Sequence, residues 1–215
     1  PLAYLLGQWD FRGLTLTVTP DVLIPRDDTL AVTELAIEHL QGREGLLRVL
    51  DLCTGSGCIG LAIADAVPNA RVTLGDVSPA ALRVAKQNIA ELGFSMRVTA
   101  FELDARKPAP AFLGQFDVLV SNPPYVTKAE MAELEPSVLE FEPHLALDGG
   151  EDGLDFYRAI VRNYGGLVKE GGALCFEFGL GQEEAVCAIL REGGFAEPKL
   201  REDYRGVVRA VCAKK

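Results

Sequence analysis

Residues 47–60 read Leu-Arg-Val-Leu-Asp-Leu-Cys-Thr-Gly-Ser-Gly-Cys-Ile-Gly. The apolar run Leu47–Leu50 predicts a short strand ending at Asp51. Gly55, Gly57 and Gly60 follow at GxGxxG spacing, and Gly57 to Val67 has helical spacing. A strand that turns tightly through glycines into a helix is the signature of a nucleotide-binding α/β unit, because glycine permits the turn and lets a ligand approach the backbone.

The same alternation continues downstream. Arg71 to Leu74 predicts a second strand ending near Asp76, and Ser78 caps a helix that has Pro79 at its first position and Gly93 at its end. Further strands are expected at Met96–Phe101, Phe116–Val120 and Ala173–Phe178, with helices at Gly153–Val168 and Gln182–Arg191. Lys199-Leu200 and Val207–Cys212 read as a closing strand pair. Strands separated by helices predict an α/β fold: a Rossmann-like, mostly parallel seven-stranded sheet with helices on both faces. Ligands bind such sheets at the carboxyl ends of the strands, near the switch in strand order. Asp51 onward, Asp76, Asp104 and Ser121 onward occupy those ends.

Residues 1–41 form a small flank before this core. Leu14–Thr19 alternates with period two and predicts a strand. Asp21–Ile24, bracketed by Pro20 and Pro25, is its expected hairpin partner. Thr29–Leu40 is a helix with Leu30, Leu35, Ile37 and Leu40 inward. The expected division is 1–41 as leading hairpin and helix beside the active site, and 42–215 as the catalytic domain.

The chain has 215 residues, 31 acidic and 21 basic, for a net charge of −10. That balance argues against binding to a phosphate backbone, which needs clustered Lys and Arg. Nine carboxylates and no Lys or Arg lie between Glu130 and Asp155. This stretch is either a solvated surface or a docking face for a basic partner. No uncharged run is long enough to span a bilayer. The five cysteines contain no CxxC, and with His39 and His144 alone no metal site reads out. Free thiols in a reducing cytoplasm are the simplest expectation.

Two constellations carry chemistry. The first is the glycine turn with Asp76, whose carboxylate is placed to accept ribose hydroxyls. A dinucleotide and S-adenosylmethionine both fit it. Asp51 decides for the latter, since a pyrophosphate disfavours a carboxylate beside the helix N-terminus whereas a sulfonium tolerates one. Asp104 is placed to accept an adenine amino group. The second is Ser121-Asn122-Pro123-Pro124-Tyr125. Two prolines stiffen the backbone and remove two donors. The Asn122 side-chain oxygen and the Pro123 carbonyl are left to accept from one planar NH₂ group, and Tyr125 offers a face for stacking. Such a grip suits methylation of a delocalised nitrogen, because it stabilises the charge that builds there during attack.

With these motifs in order, the chain resembles class I S-adenosylmethionine-dependent methyltransferases acting on a planar nitrogen. Tyr4-Leu5-Leu6-Gly7, Phe11, Gly13-Leu14, Thr19–Arg26 and Thr29 resemble the opening segment of the protein-(glutamine-N5) methyltransferases that modify peptide-chain release factors. Phe141-Glu142-Pro143, Ala146-Leu147, Gly149-Gly150 and Asp152-Gly153-Leu154 resemble that family too. The resemblance implies transfer of a methyl group from S-adenosylmethionine, leaving S-adenosylhomocysteine, to the glutamine of the Gly-Gly-Gln loop of a release factor. It implies that Asn122, Pro123, Pro124 and Tyr125 hold the glutamine amide, with Asn122, Pro123 and Tyr125 catalytic. Cys53, Thr54, Gly55, Ser56, Gly57, Asp76, Asp104 and Ala105, with Asn122, would hold the cofactor. Phe11, Pro25, Arg26 and Thr29 would line the mouth, Phe11 and Arg26 toward substrate and Pro25 and Thr29 toward cofactor.

Three departures stand out. Asp27-Asp28 replaces the family's Pro-Glu, which is expected to loosen the lid. Cys53 stands where Gly is common. The family's N-terminal helical domain is absent from these residues. The competing readings are an adenine-N6 or guanine-N2 nucleic-acid methyltransferase, a ribosomal-protein glutamine methyltransferase, and a non-catalytic adenosyl-binding module.

Overall fold

Parallel strands buried on both faces need near-continuous apolar sequence, and the centre of the sheet has it: Val118, Leu119 and Val120 are each fully buried. The computed structural model describes residues 1–215. Its elements are α1 (Leu2–Leu6), β1 (Gln8–Phe11), β2 (Leu14–Thr17), α2 (Leu30–Leu40), β3 (Leu47–Leu52), α3 (Cys58–Ala66), β4 (Ala70–Asp76), α4 (Pro79–Glu91) and β5 (Val98–Glu102). There follow β6 (Phe116–Ser121), the short helices α5 (Lys128–Met131) and α6 (Pro136–Leu139), α7 (Asp155–Tyr164), β7 (Val168–Glu177), α8 (Glu183–Glu192), β8 (Ala196–Glu202) and β9 (Val208–Lys214). The main sheet has seven strands in the order β5-β4-β3-β6-β7-β9-β8. β3 to β7 run parallel, and β9 is antiparallel to both β7 and β8. The order reverses between β3 and β6, which sets the ligand end of the sheet there.

One core lies on each face. Val32, Leu35, Ile37 and Leu40 of α2 join α3 and α4 in packing against one side; Tyr157, Ile160, Val186 and Leu190 of α7 and α8 pack against the other. Each fully buried aliphatic side chain contributes about 1.5–3 kcal/mol. The helix of the leading segment is therefore a structural layer of the sheet.

The hairpin differs from expectation. β2 pairs with β1, upstream, and not with Asp21–Ile24. The connection is Arg12-Gly13, with φ of 48° and 77°, the two positive values that a type I′ turn requires. Asp21–Ile24 is irregular. Val22 and Ile24 are buried, but the backbone bonds to side chains: the Tyr4 hydroxyl donates to Val22 O at 2.6 Å, and Ile24 N donates to Glu142 Oε2 at 3.1 Å. β7 also begins earlier than expected. The expected start was Ala173, but Lys215 N donates to Gly172 O and Gly171 N to Lys215 O, so pairing with the last residue extends the strand.

Cys175 and Cys212 are register partners across β7 and β9, with their side chains facing one another. Cys53, Cys58 and Cys187 have no sulfur partner. No helix is long and apolar enough to cross a membrane.

A buried asparagine ties the hairpin to the sheet. Asn88 falls on the apolar stripe of α4 with Ala81, Val84 and Ala85. Its Oδ1 accepts from Thr17 N at 2.7 Å, and its Nδ2 donates to Thr17 O at 3.0 Å and to Ser56 O at 2.9 Å. Replacing it strands three polar groups in the interior, each worth about 1–3 kcal/mol when unpaired. Asn88→Ala is expected to lower the unfolding free energy by about 2–4 kcal/mol in urea denaturation, the three losses adding only partly.

Candidate functional site

The ligand end is built by one register. Leu52 of β3 pairs with Ser121 of β6, and the Ser121 hydroxyl donates to Leu52 O at 2.5 Å. The next residues, Cys53 and Asn122, therefore leave the sheet side by side.

After Leu52 the chain turns with positive φ at Cys53 (63°), Gly55 (56°) and Gly57 (88°). Thr54 N donates to Gly75 O at 3.0 Å, Gly57 N to Thr54 O at 2.9 Å, and Gly55 N to Asp76 Oδ2 at 2.9 Å. The third glycine serves packing: a Cβ on Gly60 would lie 2.3 Å from Leu74 Cδ2 and 3.1 Å from Asp51 Oδ2. Asp51 lies beneath the turn. Its Oδ2 accepts from the Thr54 hydroxyl at 2.6 Å and from Gly60 N at 2.9 Å, while Oδ1 has no partner. Burial pushes its pKa up to about 7 against the pull of those two donors. Asp51 does not face the cleft, so its part is to shape the turn rather than to present a charge to a ligand.

The turn opens into a cleft. Of the residues read from sequence, Cys53, Thr54, Gly55, Ser56, Asp76, Asp104, Ala105, Asn122, Pro124, Pro25 and Thr29 line it. Asp76 accepts one N–H on each oxygen, from Gly55 and from Ser78 at 3.0 Å, leaving a lone pair on each for a ligand. Burial raises its pKa despite those donors. Burial likewise raises Asp104, but the backbone N–H and guanidinium of Arg106 outweigh it and hold the carboxyl below its usual range. The buried Ser56 hydroxyl lines the cleft without a partner in the protein. A cleft with an orphaned hydroxyl and two carboxylates at strand ends fits an adenosyl ligand bearing hydroxyl, amino and carboxylate groups.

Several expected residues sit elsewhere. Phe11 is 3% exposed and belongs to the hydrophobic core, so it does not reach the mouth. The Arg26 guanidinium is engaged by Glu142 and by Ile24 O, so it fastens the wall rather than standing free for substrate. Gly57 is the N-cap of α3, behind the lining. The Pro123 ring is buried and does not line the cleft, although its neighbours Asn122 and Pro124 do. The Tyr125 ring borders a separate depression with Gly179, Leu180, Gln182 and Arg209, and its hydroxyl lies 3.4 Å from Glu177 Oε1.

Two unforeseen features complete the walls. Glu142, 4% exposed, accepts from Ile24 N on one oxygen and from Arg26 on the other, joining the leading segment to the Pro143–Ala146 wall opposite. The motif Phe141-Glu142-Pro143 was its only signal. Asp28 is held by Arg205, whose Nη2 lies 3.1 Å from both carboxylate oxygens. The segment that lacks the family's proline is thus anchored to the β8–β9 turn rather than loosened. Gly149 and Gly153 press on the back of the Asn-Pro-Pro-Tyr loop; a Cβ would come within 2.7 Å of Tyr125 Cα and 2.4 Å of Tyr125 O, respectively. The acidic stretch is not one uniform face either. Glu130 completes a capping box with Thr127, Glu142 is the clasp, and Asp152 pairs with Arg158.

The fold and the cleft define a methyltransferase, and residues 26–141 match the Methyltransferase small domain family. The release factor glutamine methyltransferase of Geobacter sulfurreducens is 43% identical over 98% of this chain and 72% of its own length. That of Bordetella pertussis is 44% identical over 97% of this chain and 76% of its own length. A solved structure, the release-factor-specific protein-(glutamine-N5) methyltransferase from Alicyclobacillus acidocaldarius, is 30% identical with a TM-score of 0.55, covering 93% of this chain and 99% of that one. The chain belongs to the release factor glutamine methyltransferase family.

Cys53 carries a backbone that favours glycine, since a left-handed φ costs a residue with a Cβ about 1–2 kcal/mol. Burial raises its thiol pKa, so it stays protonated and unreactive. Cys53→Gly is expected to relieve this strain, net of glycine's greater chain entropy, and stabilise the fold by about 1 kcal/mol. Thermal unfolding should show a higher Tm with cofactor affinity retained.

Proposed function

We propose that this chain transfers the methyl group of S-adenosylmethionine to the side-chain amide nitrogen of a release-factor glutamine, the residue in the Gly-Gly-Gln loop. One observation carries the reading: Asn122 and the glycine turn leave paired strands side by side and face one cleft. The membership of the family supplies the substrate class.

In this reading Asp76 accepts the ribose hydroxyls, the Asp104-Ala105 corner holds the base, and the Thr54–Ser56 turn receives the amino-acid end. Thr29 and Pro25 close over it. S-adenosylmethionine, when bound, supplies a methyl group already activated on a sulfonium sulfur. Asn122 Oδ1 and the Pro123 carbonyl accept the two hydrogens of the glutamine NH₂, with Pro124 bounding the carboxamide. A carboxamide nitrogen is a weak nucleophile because its lone pair is delocalised. Two acceptors fix that nitrogen and stabilise the positive charge it gains as the new N–C bond forms. Orientation can supply roughly 7–11 kcal/mol of the barrier. The nitrogen then loses one proton to water, so no strong general base is needed. The net charge of −10 disfavours a nucleic-acid substrate.

Mass spectrometry after incubation with S-adenosylmethionine and either a purified release factor or nucleic acid tests the substrate. One methyl on one glutamine is expected, and methylated bases with an unmodified release factor would contradict it. Asn122→Ala is expected to lower kcat by about 10²–10³, with S-adenosylmethionine affinity unchanged by calorimetry.

A further inference from the structure

A ligand that must enter and leave a cleft meets its weakest wall first, and here that wall is the leading segment. Asp21, Val22, Leu23 and Pro25 line the cleft from backbone with no regular secondary structure. From Pro20 to Pro25, only two hydrogen bonds tie the backbone to residues outside the segment itself: the Tyr4 hydroxyl donates to Val22 O, and Ile24 N donates to Glu142 Oε2. Its buried side chains, Val22 and Ile24, belong to a small apolar cluster apart from the two large cores. A segment with so few anchors opens at low cost compared with the sheet.

The opposite wall, Pro143, Leu145 and Ala146, starts directly after Glu142. Both oxygens of that carboxylate reach the leading segment: Oε2 accepts from Ile24 N, and Oε1 accepts from the Arg26 guanidinium, whose Nη1 also donates to Ile24 O at 3.1 Å. Ile24 and Arg26 flank Pro25, and Pro143 follows Glu142, so these bonds fix one lining proline on each wall. The two partners differ in exposure: the Glu142 side chain is 2% exposed and the Arg26 side chain 39%. The carboxylate is enclosed, and the cation that satisfies it is within reach of water.

Resting on the reading that this cleft holds S-adenosylmethionine, we propose that Glu142 and Arg26 are positioning residues that hold the two walls together and set how fast the cofactor exchanges. With the pair made, Pro25 and Pro143 are already in place, and little ordering remains to be done when a ligand binds. When the guanidinium swings out to water, the buried carboxylate keeps a single donor. A buried charge in that state is costly and draws water in. The segment then parts from the Pro143 wall, with the Ile24 bond as its last tie. Its far end stays fixed, because Arg205 grips Asp28, and its near end is held by Tyr4. The segment therefore bows outward between Val22 and Asp28 without detaching. Neither residue touches the reacting atoms, so the pair acts on cofactor binding and release and not on the transfer at Asn122.

The test uses the full chain and S-adenosylhomocysteine, with binding followed by calorimetry and release by stopped flow. Arg26→Ala and Glu142→Gln, the latter leaving one oxygen for two donors, are each expected to weaken binding by about 10- to 100-fold, the range of a charged hydrogen bond. Most of the change should lie in faster dissociation. Arg26→Lys keeps a cation in reach and should recover part of the affinity. The double variant should bind no worse than the weaker single one, since both break one clasp. With a Gly-Gly-Gln peptide, KM for S-adenosylmethionine should rise while kcat at saturating cofactor is not lowered, a split that loss of folded protein does not give. In the unliganded protein, hydrogen exchange at residues 20–26 should quicken in Arg26→Ala while the central strands stay protected, which also reports that the variant folds. Unchanged affinity in both single variants, losses that multiply in the double variant, or unaltered exchange at 20–26 would overturn the clasp. A parent that binds no S-adenosylhomocysteine, while Arg26→Ala still loosens 20–26, would instead contradict the cofactor reading and leave the joining of the walls standing.

Discussion

Everything at the ligand end depends on the parallel pairing of Leu52 with Ser121. Adjacent strands lie about 4.8 Å apart, so that pairing alone delivers the residues after them, Cys53 and Asn122, as neighbours. The glycine turn and the Asn-Pro-Pro-Tyr loop, which leave strand residues 69 positions apart in sequence, become two walls of one cleft. A slip of one residue in either strand would send its loop residues to the opposite face of the sheet. The register is secured by fully buried apolar residues on both faces, and by the Ser121 hydroxyl bond to Leu52 O.

The site is then held by buried polar groups rather than by more hydrophobic area. Asp51 fastens the glycine turn from below, Asn88 ties the turn to the hairpin, Glu142 joins the two walls, and Glu177 backs the Asn-Pro-Pro-Tyr loop. Each lies within the protein with few or no contacts to water. Buried polar groups stabilise only when paired, and an unpaired one costs about 1–3 kcal/mol. Asp51 and Glu177 each keep one oxygen without a partner, as does the Ser56 hydroxyl, and of these Ser56 lines the cleft.

How much of this was legible in the sequence follows from the range of each interaction. The strand–glycine–helix unit at 47–67 and the capped helix after Ser78 are local patterns, and they appear where the periodicity puts them. The hairpin partner was misread, because the Arg12-Gly13 turn lacks the Asn-Gly or Asp-Gly pair that usually announces type I′ geometry, and because Asp21–Ile24 buries alternate residues without being a strand. Phe11 and Arg26 are in the right neighbourhood with the wrong exposure. A motif fixes position along the chain and says nothing about which side chains the core or a partner carboxylate has already taken. The parts played by Glu142, seen only as a member of the Phe141-Glu142-Pro143 motif, and by Glu177 were illegible for the same reason. A lone glutamate gains meaning only when folding brings it against Ile24 and Arg26, or against Tyr125, from more than 50 residues away.

The central claim is geometric: one cleft holds a methyl donor against the glycine turn and a glutamine carboxamide against Asn122. A crystal structure with S-adenosylhomocysteine and a Gly-Gly-Gln peptide tests it directly. The account predicts the carboxamide nitrogen within about 3 Å of Asn122 Oδ1 and of the Pro123 carbonyl, pointing at the cofactor sulfur. A glutamine bound elsewhere, or one whose oxygen rather than nitrogen meets Asn122, would contradict it.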